Sequence, residues 1–165
     1  MYWVKKYNDA IVQGKQLIGD NVMREILRST YSHVPILEEV RFPEFTADML
    51  IIYPKYPAIM GIEVKSDRDN LLRLPQQLDG YLKYCNKVFV ATTFMHRKDI
   101  LEILAYEKYQ DVGLCFYVME NGEKFFWFEK FPIGSDIRRG NANWISKKHQ
   151  LYQWKYILEM IWKEE

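Results

Sequence analysis

Two apolar runs separated by one helical stretch constrain this chain more than any other feature. Residues 58–65 and 88–93 both read as strands, carrying Met60, Ile62 and Val64 in the first and Val88, Phe89, Val90 and Ala91 in the second. Between them Leu74, Leu78, Tyr81, Leu82 and Cys85 fall at the spacing of a helix face. Pro75 lies where the first turn of that helix begins, the one helical place where a missing amide proton does no harm. A strand, helix and strand over this length make a right-handed crossover, which leaves the two strands parallel. Runs this apolar are covered on both faces. The chain is therefore expected to be an α/β protein with helices flanking a central sheet.

The remaining sequence extends that plan. Residues 8–29 read as a first helix through Ile11, Leu17, Ile18, Val22, Ile26 and Leu27, with Gly14 and Gly19 working against it. Residues 36–42 and 47–53 read as strands on either side of Pro43-Glu44, and 54–57 as a turn. A second crossover helix is expected over 98–109. Residues 112–119 and 123–129 flank Asn121-Gly122, and Asn-Gly between β-type runs is the strongest short hairpin signal. A last helix is expected over 144–163. A hairpin beside a parallel crossover makes the sheet mixed. No repeat or linker divides the chain, and 165 residues is an ordinary size for one domain, so residues 1–165 are read as a single domain.

Composition narrows the function classes. A hydrophobic fraction of 48% with 16% aromatic residues excludes a disordered chain. The formal charge of +1 gives no global basic field, which argues against a non-specific nucleic-acid coat but not against a nuclease, whose own centre is acidic. Cys85 and Cys115 sit in apolar contexts and fit reduced, buried thiols of a cytoplasmic protein. His33, His96 and His149 are scattered and show no zinc-ligand spacing. The first residues lack the apolar stretch of a signal peptide, and the longest apolar region is broken by Pro54, Lys55 and Pro57, so no membrane span is expected.

Chemistry concentrates where two of the strands meet. Alternate strand residues share a face, so Glu63 and Lys65 lie on one side and Val64 on the other. If the 47–53 run pairs with the 58–65 run, Asp48 sits beside them. Two carboxylates offer the hard oxygens that Mg²⁺ prefers, and a divalent ion stabilises charge on a phosphodiester under attack. Lys65 could orient the attacking water, help deprotonate it or stabilise developing charge. A bare Glu-x-Lys on a strand is more often a solvated ion pair worth ~0–1 kcal/mol. Here the flanking residues are strongly apolar, and charges among buried strands are costly without a reason.

These residues resemble the PD-(D/E)xK nuclease superfamily, whose fold is that of the restriction endonucleases. Asp48 matches the family aspartate and Glu63-Val64-Lys65 the E-x-K. Ser66-Asp67, Arg73-Leu74, Gln77 and Tyr81 follow in the order of a bacterial and phage subgroup related to DNA repair nucleases. Ala47 stands before Asp48 where the family has proline, which removes one element of the match. The resemblance, over residues 35–95, implies a Mg²⁺-dependent deoxyribonuclease in which Mn²⁺ can substitute, with DNA as partner. Asp48, Glu63 and the Val64 carbonyl would bind the metal, Lys65 would assist the attacking water, and Gln77 would support the site. Such a chain would act as an endonuclease in DNA repair, recombination or phage DNA metabolism, in the cytoplasm, as a homodimer or within a larger DNA-processing complex. The alternative is a non-catalytic DNA-binding or assembly subunit that keeps the fold.

Further candidates carry less. Gln77 and Tyr81, four apart, share a helix face, and Tyr81 near the site is a candidate nucleic-acid contact. Arg73 has a planar fork suited to phosphate. Some relatives carry an extra glutamate on the first helix, for which Glu25 is the helical candidate and Glu38 and Glu39 are strand candidates. Asp67 and Asp69 suit a turn. Arg138, Arg139, Lys147 and Lys148, with Trp144 and His149 among them, make a local basic region that could grip phosphates and stack a base, or simply a solvated connector and helix.

Overall fold

The computed structural model describes residues 17–53 and 58–134. In chain order they form α1 (Asp20–Thr30), β1 (Ile36–Arg41), β2 (Thr46–Tyr53), β3 (Ala58–Lys65), α2 (Leu74–Tyr84), β4 (Lys87–Thr92), α3 (Arg97–Leu104), β5 (Gly113–Glu120) and β6 (Glu123–Lys130), with 3₁₀ turns at Phe94–His96 and Glu107–Tyr109. The six strands make one sheet in sequential order, β1-β2-β3-β4-β5-β6. The expected crossover is present: β3 and β4 are parallel, as are β4 and β5, while β1-β2, β2-β3 and β5-β6 are antiparallel. The described residues form one α/β domain with a mixed sheet flanked by helices.

Side-chain alternation along the strands divides the core. Leu50, Ile52, Ile59, Val88 and Val90 pack with Leu78 and Tyr81 of α2 and Ile100 of α3 on one face. Met49, Ile51, Ile62, Val64, Phe89 and Cys115 pack with Met23 and Leu27 of α1 on the other. Both cysteines are buried free thiols, pushed well up by burial. At the hairpin, Asn121 (φ 51°) and Gly122 (φ 80°) supply the two positive φ values that a type I′ turn needs. Among the described residues no helix is long and apolar enough to cross a membrane.

Two expected boundaries differ. Among the described residues, the expected 8–29 helix is helical only from Asp20, and residues 17–19 are not helical. Ile18 instead pairs with Asp67: its N–H donates to the Asp67 carboxylate (2.7 Å) and its carbonyl accepts from the Asp67 N–H (3.1 Å). The expected helix over 98–109 ends at Leu104, and Tyr106 is extended (ψ 137°) before the 3₁₀ turn. There the Tyr109 hydroxyl is drawn to the Pro75 carbonyl (2.9 Å) and to Asp79 (2.7 Å) on α2. The expected helix over 144–163, the rest of the 8–29 helix and the turn at 54–57 lie outside the described residues.

Candidate active site

The site lies where β2 separates from its neighbours. Pairing of β2 with β3 runs from Tyr53↔Ala58 to Met49↔Ile62 and stops one residue short of Asp48 and Glu63. On the other side, β1 pairs at Glu38↔Met49 and resumes at Val40↔Ala47, skipping Glu39 and Asp48. Glu39 has φ 53°, a left-handed backbone that a residue with a Cβ adopts only at a cost of ~1–2 kcal/mol. This interruption turns the Asp48 backbone to other partners. Buried backbone groups have to be paired, and here the Asp48 N–H donates to the Tyr81 hydroxyl (2.8 Å) while the Asp48 carbonyl accepts from Arg24 Nη1 (3.1 Å).

The Asp48 carboxylate is held as firmly. Oδ2 accepts the Val64 N–H (2.8 Å), and Oδ1 accepts from Arg24 Nη2 (3.0 Å). All four polar atoms of Asp48 are therefore engaged, by α1, α2 and β3 together. Burial raises the Asp48 carboxyl above its ordinary range, opposed by the Val64 N–H and by the Arg24 charge.

Glu63 and Lys65 share the α2 face of β3, as strand alternation requires. Glu63 is 1% exposed and Lys65 5%. Lys65 Nζ lies 2.8 Å from Glu63 Oε1 and donates to Gln77 Oε1 of α2 at 2.9 Å. Glu63 Oε2 is buried with no hydrogen-bond partner among the described groups. The Tyr81 hydroxyl lies near enough to favour the Glu63 carboxylate, but the proton it carries is directed at the Ile62 carbonyl (2.9 Å). Burial, with the Asp48 charge adding to it, pushes the Glu63 carboxyl up to about 7 despite the adjacent ammonium.

The loop after β3 fixes the end of the Glu-x-Lys strand. Asp69 accepts from both the Ser66 N–H (2.7 Å) and the Ser66 hydroxyl (2.8 Å), and His96 Nε2 meets the Ser66 carbonyl at 2.8 Å. Asp67 is bonded by Ile18 and by the Thr93 hydroxyl, and Thr92 donates to the Lys65 carbonyl (2.8 Å). Asp67 and Asp69 are thus turn-forming groups behind the site.

The structure brings Asp48, Glu63, Lys65 and Gln77 together and turns the Val64 side chain to the α1 face. Other candidates lie elsewhere. Tyr81 is fully buried, so it cannot touch nucleic acid; its hydroxyl instead holds the splayed strands. Glu25 is exposed, on a different side of α1 from the buried Met23, Arg24 and Leu27. Glu38 and Glu39 turn to arginines: Glu39 Oε1 lies 2.7 Å from Arg24 Nη2, and Glu38 Oε2 accepts from Arg28 Nε at 2.8 Å. Arg73 is exposed at the N-cap of α2. Arg138, Arg139, Lys147 and Lys148 lie outside the described residues.

Two elements were not foreseen. Arg24 is 8% exposed and surrounded by Asp20, Glu39 and Asp48, with Asp20 2.7 Å from Nε. Burial works against its charge, yet these carboxylates carry it above the ordinary arginine value. The only sequence trace of this is an Asp-x₃-Arg spacing that aligns Asp20 and Arg24 on one helix face. Gly61 is the second. A Cβ there would lie 2.3 Å from the Tyr81 ring, so only glycine lets the ring cross β3. An isolated glycine within a strand pattern is itself a signal of such an approach.

A divalent cation can be tested against this donor set. Among the described residues no three His, Cys, Asp or Glu side chains converge. The available ligands are two carboxylates plus main-chain oxygen, which suits an ion that keeps several waters and excludes a closed zinc-type cage. The unpartnered Glu63 oxygen beside Asp48 is the atom such an ion would satisfy.

Residues 20–129, well over half of the chain, match the model of the family described as bacteriophage P4 protein cII. The chain belongs to the bacteriophage P4 cII protein family. The match to that family spans every described residue of the site, from Arg24 to Tyr81. Among solved structures, the P4 cII-family chain is similar to a protein of unknown function from Silicibacter pomeroyi, with 18% identity and a TM-score of 0.49 over 84% of this chain and 81% of that one. No curated protein matches the sequence.

Proposed function

We propose that this protein is a metal-dependent nuclease of the PD-(D/E)xK kind, hydrolysing phosphodiester bonds in DNA as an endonuclease of repair, recombination or phage DNA metabolism. One observation carries the reading above all. A buried Glu63 with one oxygen unpartnered lies beside Asp48 and is ion-paired to a Lys65 that Gln77 steadies. A buried oxygen left unpartnered costs ~1–3 kcal/mol, a cost that a purely structural ion pair has no use for and a bound cation would offset.

In this reading Asp48 and Glu63, with the Val64 carbonyl, hold Mg²⁺ or Mn²⁺. Such an ion, when bound, stabilises the negative charge that builds on a phosphodiester and favours ionisation of an attacking water. Lys65 has three N–H donors. Glu63 and Gln77 engage two of them, which leaves one to orient water or meet the phosphate. Gln77 is a positioning residue, holding the ammonium on the α2 side.

The test is cleavage of labelled single-stranded, duplex and branched DNA with Mg²⁺, Mn²⁺ or chelator, for the wild type and Lys65→Ala. Metal-dependent cleavage that vanishes in the variant is the expected result. A parallel thermal melt should show a Mg²⁺-dependent rise in Tm, equivalent to about 2.7 kcal/mol at a hundredfold excess over Kd, that is lost in Asp48→Ala. A protein that binds DNA but neither cleaves it nor responds to metal would be the non-catalytic subunit instead.

A further inference from the structure

We infer that Arg24 is a positioning residue for the metal site, fixing the Asp48 carboxylate from the opposite face of the sheet. The inference rests on the reading of Asp48 as a metal ligand. Arg24 uses its planar fork on one residue twice, with Nη1 on the Asp48 carbonyl (3.1 Å) and Nη2 on Oδ1 (3.0 Å). A grip on both the main chain and the carboxylate sets the side-chain torsion of Asp48 and keeps Oδ2 on the Val64 N–H (2.8 Å). Lysine has a single point of charge and cannot reproduce this.

The guanidinium is itself braced. Asp20, one turn earlier on α1, attracts it as a charge 2.7 Å from Nε without an aligned hydrogen bond, Glu39 Oε1 lies 2.7 Å from Nη2, and Glu38 Oε1 lies 3.6 Å from Nη1. Glu39 reaches that position from the left-handed backbone that interrupts the β1-β2 ladder opposite Asp48. The break in the ladder and the brace are therefore one arrangement: the unpaired Asp48 carbonyl is available to Arg24 because Glu39 does not pair with it. Groups that orient metal ligands in this way commonly change metal affinity about 10–100-fold when removed.

The experiment uses the full chain and compares Arg24→Lys, Arg24→Gln and Glu39→Gln with Arg28→Gln, a change on the same helix at the exposed pair with Glu38, whose carboxylate approaches Arg24 only to 3.6 Å. Two quantities are read: the Mg²⁺ Kd by calorimetry, and the exchange rate of the Val64 amide, which reports the Asp48 Oδ2 bond without metal. Positioning predicts that Arg24→Lys weakens Mg²⁺ binding about tenfold or more and speeds Val64 exchange, while Arg28→Gln does neither. If burying a lysine prevents folding, Glu39→Gln, at a side chain 63% exposed, should move both readouts in the same direction by a smaller factor. Unchanged Val64 exchange in a folded Arg24 or Glu39 variant overturns the inference. So does tighter Mg²⁺ binding by Arg24→Gln, which would make the guanidinium only a competing charge. If the wild type binds no Mg²⁺, the metal reading falls, and Val64 exchange alone still decides whether Arg24 positions Asp48.

Discussion

Replacing Glu63 with glutamine should make the metal-free protein more stable at alkaline pH, the reverse of what loss of a buried ion pair usually does. The Glu63 carboxyl is pushed from 4.5 up to about 7, and that value already includes the attraction of Lys65, so burial and Asp48 outweigh the ion pair. The sign follows from proton linkage. A folded value above the unfolded one means that the folded state binds more protons between the two, so this group's stabilising contribution is complete below about 4.5 and lost as pH rises through about 7. At ~1.4 kcal/mol per tenfold change in acidity, the loss is about 3 kcal/mol. Glutamine keeps the shape and an oxygen for Lys65 without the charge. Urea unfolding of chelator-treated protein should therefore show Glu63→Gln about 2–3 kcal/mol more stable than wild type at pH 8, with the gap closing by pH 5. Saturating Mg²⁺ at pH 8 should stabilise the wild type and leave the variant unmoved. A variant less stable than wild type at pH 8, or a gap independent of pH, would refute the reasoning.

The supporting contacts give four further expectations. Tyr81→Phe removes the hydroxyl shared by the Asp48 N–H and the Ile62 carbonyl, and should cost about 2–4 kcal/mol in denaturant unfolding with faster exchange of the Asp48 amide. Gly61→Ala drives a methyl to 2.3 Å from the Tyr81 ring and should cost about 1–3 kcal/mol. Combined with Tyr81→Phe it should be non-additive, since both changes act on one ring. Arg28→Gln, at an exposed pair, should change unfolding free energy by less than about 1 kcal/mol.

Much of the scaffold was legible because its signals are local. The apolar runs in β3 and β4, the stripe from Leu74 to Cys85 and the position of Pro75 specify a crossover without knowledge of what covers it. Asn121-Gly122 marks the β5-β6 turn by the backbone angles it tolerates. Legibility failed at element ends, where tertiary contacts decide. Nothing in the periodicity near Ile18 reveals that its N–H and carbonyl are both taken by Asp67, 49 residues away. Beyond the end of α3, the Tyr109 hydroxyl likewise reaches Pro75 and Asp79, contacts that no local pattern encodes.

The candidate site divides along the same line. Glu63, Lys65 and Gln77 could be brought together on paper because strand alternation and one crossover fix their common face. Arg24 could not, because its role depends on a defect in the β1-β2 ladder. Had Glu39 paired with Asp48, the Asp48 carbonyl would have taken a strand partner, and a charged residue on the inner face of α1 would have been left to its acidic neighbours. The same defect gives the buried Tyr81 hydroxyl its role: it supplies the Asp48 N–H with an acceptor that the ladder does not. One left-handed residue in an edge strand thus determines how Arg24 and Tyr81 both serve Asp48. A pattern-based reading, which registers Glu39 only as an acidic side chain, has no access to that backbone angle.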